Sequence, residues 1–298
     1  MSQFHAVSGP TDAITDLMGI KVGNAHDAVV NTGVTAIIPD CPVAMGVDVR
    51  GGGPGTRDTD ALDPTCMIEK VHGLVLAGGS VFGLAAADGV ASFLSQKGIG
   101  LAISPVAVPV VPSAILFDLR NGGNKNWGDL PPYRDLGLKA AQAAAPSVSS
   151  GRVGAGYGAT AGAAQGGLGT ASLQLDNGIT VGAIVAVNSF GSVTESHNHG
   201  VVDLPKLGFA GANTTIAAIA TNVPLDKAGC KRLAMMAQDG LARAIRPIHT
   251  PFDGDTVFAM STGAAETDID PGVLMAVIGT LAADCLEVAI RKAVLAVD

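Results

Sequence analysis

A threonine hydroxyl is a weak nucleophile until a base removes its proton. Threonine at a free N-terminus supplies that base itself, because an α-amine has a pKa of about 7.7–8.0 and is partly neutral at neutral pH. Asn213-Thr214-Thr215 stands where such a residue could arise. It follows an aperiodic segment, residues 192–213, and opens an apolar run, TIAAIAT at 215–221. Thr214 is internal to the encoded chain, so this chemistry requires cleavage of the Asn213–Thr214 bond first. A loop followed directly by a buried strand suits it: the new N-terminus stays at the strand end while the preceding segment moves away. Asp253-Gly254-Asp255 is the second informative group. In an extended segment side chains alternate, so the two carboxylates point the same way. Placed beside Thr214, they could orient its amine and hydroxyl, one of them shuttling a proton. Taken alone both motifs are short, and their plain reading is a strand start and a turn.

Other constellations say less. Gly154-Ala155-Gly156-Tyr157-Gly158-Ala159 fits a relaxed dinucleotide fingerprint, which needs a hydrophobic strand before it. The preceding AAPSVSSGRV is a poor strand, so the segment reads as a packing or substrate-channel loop, with Gly156 and Tyr157 as candidate substrate contacts. His197 and His199, with Glu195 and Asp203 nearby, have the types of a metal pair but lack a third histidine, and read as a solvated loop. His5, His26, His72 and His249 are isolated in sequence, and no Ser–His–Asp triad is singled out. Neither a metal nor an organic cofactor is called for.

The elements that must position these residues follow from hydrophobic pattern. Residues 71–77 form a strand, followed by a Gly78-Gly79 turn, Ser80 as helix N-cap, and a buried helix to Leu94. Residues 179–187 and 256–261 are buried strands. Residues 226–245 are a helix with Leu233, Met236, Ala237, Leu241, Ala244 and Ile245 on one face, and 273–294 close the chain as a long helix. The segment 121–135, polar and rich in Pro and Gly, reads as a surface loop. Strands buried on both faces and covered by helices indicate an α/β layered fold, expected as one domain over 1–298.

Composition narrows the partners. A net charge of −8 without any basic run argues against nucleic acid. Apolar residues reach 48% while aromatics are only 4%, so the core must be built from small aliphatic side chains. The four cysteines are far apart and read as buried small hydrophobes in a reducing compartment. The apolar stretches 73–87 and 271–283 fall short of the roughly 20 residues a membrane span needs. With no signal-peptide pattern at the N-terminus, a cytoplasmic protein without a membrane partner is expected.

Longer motifs carry a resemblance over nearly the whole chain. GIKVGNAHD (19–27), RGGGPGTRDTDALDP (50–64), LAGGSVFGLAAADGV (76–90), VPVVPSAILFDL (108–119), GRVGAGYGATAG (151–162), NTTIAAIATNVPL (213–225) and TPFDGDTVFAMSTG (250–263) occur in the order found in the L-aminopeptidase/D-esterase family. That family includes β-peptidyl aminopeptidases and endo-type 6-aminohexanoate-oligomer hydrolases. The resemblance implies a four-layer α–β–β–α sandwich of the N-terminal-nucleophile-like, self-cleaving type, cut into 1–213 and 214–298. It places the nucleophile on Thr214, the carboxylate pair on Asp253 and Asp255, and an oxyanion-holding asparagine on Asn188. It implies a small peptide or amide-oligomer substrate and a homotetramer of cleaved pairs. Two departures stand out: Ala163 where many relatives carry Lys, and Tyr157 where a small Thr is usual. Competing readings are a related self-cleaving acyltransferase acting on amino acids, an uncleaved non-catalytic member, and a dinucleotide-binding oxidoreductase.

Overall fold

The computed structural model describes residues 3–194, 200, 202, 204 and 213–295. In chain order the first strands are β1 (Ala6–Ser8), β2 (Ile20–Asp27), β3 (Thr32–Pro39), β4 (Ala44–Val49), β5 (Thr56–Arg57), β6 (Leu74–Ala77) and β7 (Ser113–Ile115). They are followed by β8 (Thr160–Ala161), β9 (Ala164–Gln165), β10 (Gly167–Leu175), β11 (Thr180–Asn188), β12 (Ser192–Val193), β13 (Thr214–Thr221), β14 (Ile245–Arg246) and β15 (Thr256–Ser261). The helices are α1 (Ala86–Gln96), α2 (Tyr133–Gln142), α3 (Lys227–Ala244) and α4 (Pro271–Leu295).

Two large sheets result. One runs β1-β10-β11-β13-β15-β4 and the other β2-β3-β6-β7-β5. Strand alternation divides the apolar side chains among three layers of core. On β13, Ile216, Ala218 and Ala220 face the second sheet, meeting Ile37, Leu74 and Leu76. Their neighbours Ala217 and Ile219 face the other way, against Leu233, Leu241, Ile278 and Leu286 of α3 and α4. On the second sheet, Val34, Ala36, Val75 and Ala77 pack outward on Val90, Leu94, Leu136 and Ala140 of α1 and α2. The order is therefore helix, sheet, sheet, helix, the four-layer sandwich the resemblance implies. Both faces of the strands are covered, which is why they read as continuous apolar runs rather than alternating ones.

The strands and helices that the sequence reading named agree with the structure to within a residue or two at most ends, with four informative differences. Ser80 does not cap α1. Gly79 takes the left-handed conformation (φ 86°), Ser80 follows with φ 53°, and a 3-10 turn over Ser80–Ala85 precedes the helix. The 121–135 segment is not wholly a surface loop, because it ends in the first turn of α2 with Tyr133 fully buried. There Trp127 packs edge-on against Tyr133 and Phe82. Gly154–Gly156 form a 3-10 turn within the segment read as a loop rather than as a strand-to-helix phosphate turn, so that reading and the structure agree. The apolar segment at the C-terminus is also longer than read. Pro271–Val294 has mean hydropathy 2.0 and is long and apolar enough to cross a membrane by those criteria, half of it buried within the protein. The sequence reading ended the run at Asp284, but that carboxylate pairs with Arg243 on the outer face and the helix continues beneath it. Of the cysteines, Cys230 and Cys285 are buried as expected, whereas Cys41 is exposed and Cys66 half-buried; all four are free thiols.

One buried charge ties the loop after β5 to the rest. Lys227, 3% exposed at the start of α3, donates to the carbonyls of Asp63 (2.7 Å) and Cys66 (2.5 Å). Lys227→Met removes those donors and leaves the carbonyls short of partners. A loss of about 2 kcal/mol is expected, read from the urea midpoint at unchanged m-value.

Candidate active site

The topology assembles the site. β13 and β15 are parallel neighbours, with Ile216 opposite Thr256, so both begin at the same end of the sheet. β11 runs antiparallel to β13 and finishes there, with Asn188 opposite Thr214. Four candidates from three sequence-distant segments thus meet at one sheet end: Thr214 at the start of β13, Asn188 at the end of β11, and Asp253 and Asp255 just before β15. All four are buried, Asp253 and Asp255 completely.

Thr214 Oγ1 donates a short hydrogen bond to the Asn213 carbonyl oxygen, so the hydroxyl lies against the bond whose cleavage was expected. The carboxylates brace the chain around it. Asp255 Oδ1 accepts from the Thr215 backbone N–H (2.9 Å), fixing the residue after Thr214. Its Oδ2 accepts from the His249 N–H (3.1 Å) and lies 2.9 Å from His249 Nδ1. Asp253 Oδ1 accepts from the Phe190 N–H (3.0 Å), two residues past Asn188. Its Oδ2 accepts from the Thr250 N–H (3.0 Å) and hydroxyl (2.6 Å). Among the described residues the pair's hydrogen bonds go to the segments around Thr214 rather than to Thr214 itself: each carboxylate clamps a neighbouring backbone segment into register.

Burial, and secondly the charge of Asp255, push the Asp253 carboxyl above the usual carboxylate range, against the opposing pull of its hydrogen bonds. A carboxyl raised in the folded state binds more protons there than in the unfolded chain. Its contribution to stability is present below the unfolded pKa and is lost as pH rises through the folded one.

Asn188 is held at both ends of its amide. Oδ1 accepts from the Thr160 N–H (2.9 Å) and Nδ2 donates to the Phe117 carbonyl (3.0 Å). One N–H of Nδ2 is thereby used; an amide carries two. The side chain is fixed, as a preorganised donor must be.

The Gly-rich motif that opens the chain's longest family-like segment acquires a reason here. Gly53 N donates to Asp253 O (2.7 Å) and Arg50 N to Asp255 O (3.0 Å), so backbone lies against backbone. A Cβ on Gly51 would sit 2.3 Å from Asp255 N. Gly254 has the same constraint from the Thr214 side, since a Cβ there would fall 2.7 Å from both Thr214 Oγ1 and Gly53 O. Gly254→Ala is therefore expected to fold with a loss of about 1–3 kcal/mol from overpacking. The displaced hydroxyl should slow any Thr214 chemistry about tenfold or more, checked by the time course of chain cleavage on a denaturing gel.

Tyr157 and Gly156 part company. Tyr157 lines a pocket of about 290 Å³ together with Arg152, Thr160 and Ala163, next to Asn188 through the Thr160 hydrogen bond. Gly156 is buried beneath it, where a Cβ would meet the Leu168 backbone N at 2.1 Å, so it packs and does not line the pocket. His197, His199, Glu195 and Asp203 lie outside the described residues.

Two residues at the site escaped the sequence reading. His249 is not isolated: it holds Asp255 from a left-handed backbone conformation (φ 55°), with its Nε2 buried and without a hydrogen-bond partner among the described residues. Arg152 was passed over inside GRVGAGYG, where it stands between Gly151 and Val153. Only the proximity of His249 to the DGD motif could have flagged the first, and nothing in the sequence flagged the second.

Comparison with known proteins gives the family and the fold. An uncharacterized aminopeptidase of Mycobacterium tuberculosis is 42% identical over 95% of this chain and 94% of its own. A 6-aminohexanoate-oligomer endohydrolase of a Kocuria species is 30% identical over 86% of this chain and 77% of its own. Among solved structures, an L-aminopeptidase D-Ala-esterase/amidase from Ochrobactrum anthropi, described as a variant of the Ntn-hydrolase fold, superposes with a TM-score of 0.71 at 24% identity, over 98% of this chain and 88% of its own. The family model for peptidase family S58 matches residues 12–298. This chain belongs to peptidase family S58 and is a hydrolase of amide bonds with an Ntn-type α/β fold.

Proposed function

We propose that the protein cuts itself between Asn213 and Thr214 and then hydrolyses short amide substrates with Thr214 as an N-terminal nucleophile. The observation that carries this reading is the Thr214 hydroxyl lying against the Asn213 carbonyl, in a buried site braced on both sides by carboxylates. In the first step Oγ1 attacks the Asn213 carbonyl carbon. The C–N bond breaks, the nitrogen takes the hydroxyl proton, and an ester to Thr214 remains. Water hydrolyses that ester, leaving the Asn213 carboxylate, the free hydroxyl and a new α-amine.

In each later turnover the amine accepts the Oγ1 proton as Oγ1 attacks a substrate carbonyl, and the leaving amine departs protonated. The free N–H of Asn188 Nδ2 faces the developing oxyanion. Asp255 keeps Thr215, and so the nucleophile, in place, while Asp253 holds the β11 end that carries Asn188. Water then releases the acyl group. The fold accommodates the cut: β13 and β15 follow it, β11 and β4 precede it, and ladder hydrogen bonds join the two pieces on both sides.

The relatives' names, aminopeptidase and 6-aminohexanoate-oligomer endohydrolase, support short peptides and linear amide oligomers as the substrate class. The test is N-terminal sequencing of the smaller chain, which should read Thr-Thr-Ile-Ala-Ala, followed by a screen of amino-acid amides, short peptides and 6-aminohexanoate oligomers. A different N-terminus, or none of these amides hydrolysed by cut protein, would overturn the reading.

A further inference from the structure

We propose that the pocket beside Asn188 receives the carboxylate end of a short amide substrate, with Arg152 as the residue that recognises it. The inference rests on the hydrolase reading above and names a specificity determinant for it.

Charge decides which end of the substrate the pocket can take. Among the described residues its lining contains one cation, Arg152, and neither an aspartate nor a glutamate, although the chain as a whole carries a net charge of −8. An aminopeptidase must hold a substrate ammonium at one end, and a pocket without a carboxylate offers that group nothing. It does suit the opposite end, the free carboxylate of the leaving fragment.

The cation is also placed rather than loose. Its guanidinium carbon lies 5.1 Å from the centroid of the Tyr157 ring, which also stacks on His26 at 4.2 Å with an interplanar angle of 8°. Its hydrogen bonds are long, 3.4 Å to the Tyr157 carbonyl and 3.3 Å to Asn31 Oδ1, and no carboxylate lies within ion-pair distance among the described residues. An exposed planar fork held over the Tyr157 ring, with no carboxylate paired to it among the described residues, can take a bidentate anion.

Position and size fit one residue of substrate. Thr160, on the pocket wall, donates its N–H to Asn188, whose Cα partner across the ladder is Thr214. Paired strand residues stand about 4.5–5.5 Å apart, so the pocket lies roughly one side chain from the nucleophile. Ala163 on the lining presents only a methyl and leaves the approach to Arg152 open. A volume of about 290 Å³ lies at the lower edge of the range for small-ligand pockets. Asn121 ties the back wall by donating to the Asn31 and Gly158 carbonyls, so the shape is set before substrate arrives.

The test compares matched substrates that differ only at the far end: L-alanyl-L-alanine with L-alanyl-L-alaninamide, and the linear dimer of 6-aminohexanoic acid with its carboxamide. With fully processed enzyme the free acid should be preferred by about fivefold or more in kcat/KM, the difference lying in KM, as for a partly exposed ion pair. In Arg152→Gln the acid-to-amide ratio should fall to about one, and in Arg152→Lys it should lie between. A wild-type ratio of one or less, or a ratio unchanged in Arg152→Gln, overturns the pocket assignment while leaving the hydrolase reading intact. Processed enzyme that cleaves neither member of either pair overturns both.

Discussion

Thr214→Ala is expected to accumulate as one full-length chain of 29.6 kDa and to hydrolyse no amide above background. Two losses coincide in that variant. Without Oγ1 nothing attacks the Asn213 carbonyl, so the α-amine that should serve as the base is never released. Without the hydroxyl no acyl-enzyme could form even if the bond were cut by other means. Removing a covalent nucleophile costs about 10³-fold or more in rate, and here the loss compounds with failed processing. Stability should change little in comparison, because Ala occupies the same volume less a hydroxyl and a methyl. A melting temperature close to the wild-type precursor would separate lost chemistry from lost folding. Thr214→Ser keeps the hydroxyl and should restore both the cut and the activity. A cut Thr214→Ala chain would remove Thr214 from the processing step.

Asp255→Asn should slow processing and turnover by about 10²-fold, the scale expected of a group that positions and assists proton transfer. The reason lies in donor and acceptor count. Asp255 accepts from Thr215 N with one oxygen and from His249 with the other. An asparagine offers one acceptor and one NH₂, so one of those backbone N–H groups must face another donor. If Nδ2 turns toward Thr215, the residue after the nucleophile loses its anchor. If it turns toward His249, the Asp–His contact is lost and the loop before β15 loosens. Single-turnover cleavage of freshly made precursor measures the effect on processing separately from the effect on substrate. An unchanged rate in both would remove Asp255 from the machinery.

The central strands were legible because they are buried on both faces, which makes each an uninterrupted apolar run, whereas β2, with Lys21, Asn24, His26 and Asp27, is half-exposed and offered no such run. The TIAAIAT and TVFAMS runs are such strands, and α3 showed the helical period with Asp226 as its cap. Ser80 misled because its residue type favours an N-cap, whereas the close approach of Tyr133 to Gly79 bends the chain there into a left-handed turn first. The helix α4 itself was legible at 273–294, but its apolar stretch was read as too short for a span because it was ended at a carboxylate that pairs with an arginine on α3.

Within the site, the residues that meet at the sheet end came from the resemblance, with the loop-then-strand context as independent support. Nothing local in ITVGAIVAVN marks Asn188; its importance comes from the antiparallel register that sets it opposite Thr214. His249 and Arg152 stayed hidden for the same reason. One is defined by a contact across a tight turn, hinted at only by its nearness to the DGD motif, and the other by its place over the Tyr157 ring, which leaves no spacing in the chain. Gly156 shows the opposite error, a glycine read as a substrate contact that is glycine because a neighbouring strand leaves no room for a side chain.

The most direct check is the intact mass of freshly purified, catalytically active protein under denaturing conditions. Two polypeptides are predicted, matching residues 1–213 and 214–298, their masses summing to the encoded chain plus one water. A single unbroken 298-residue polypeptide in fully active material would contradict the account.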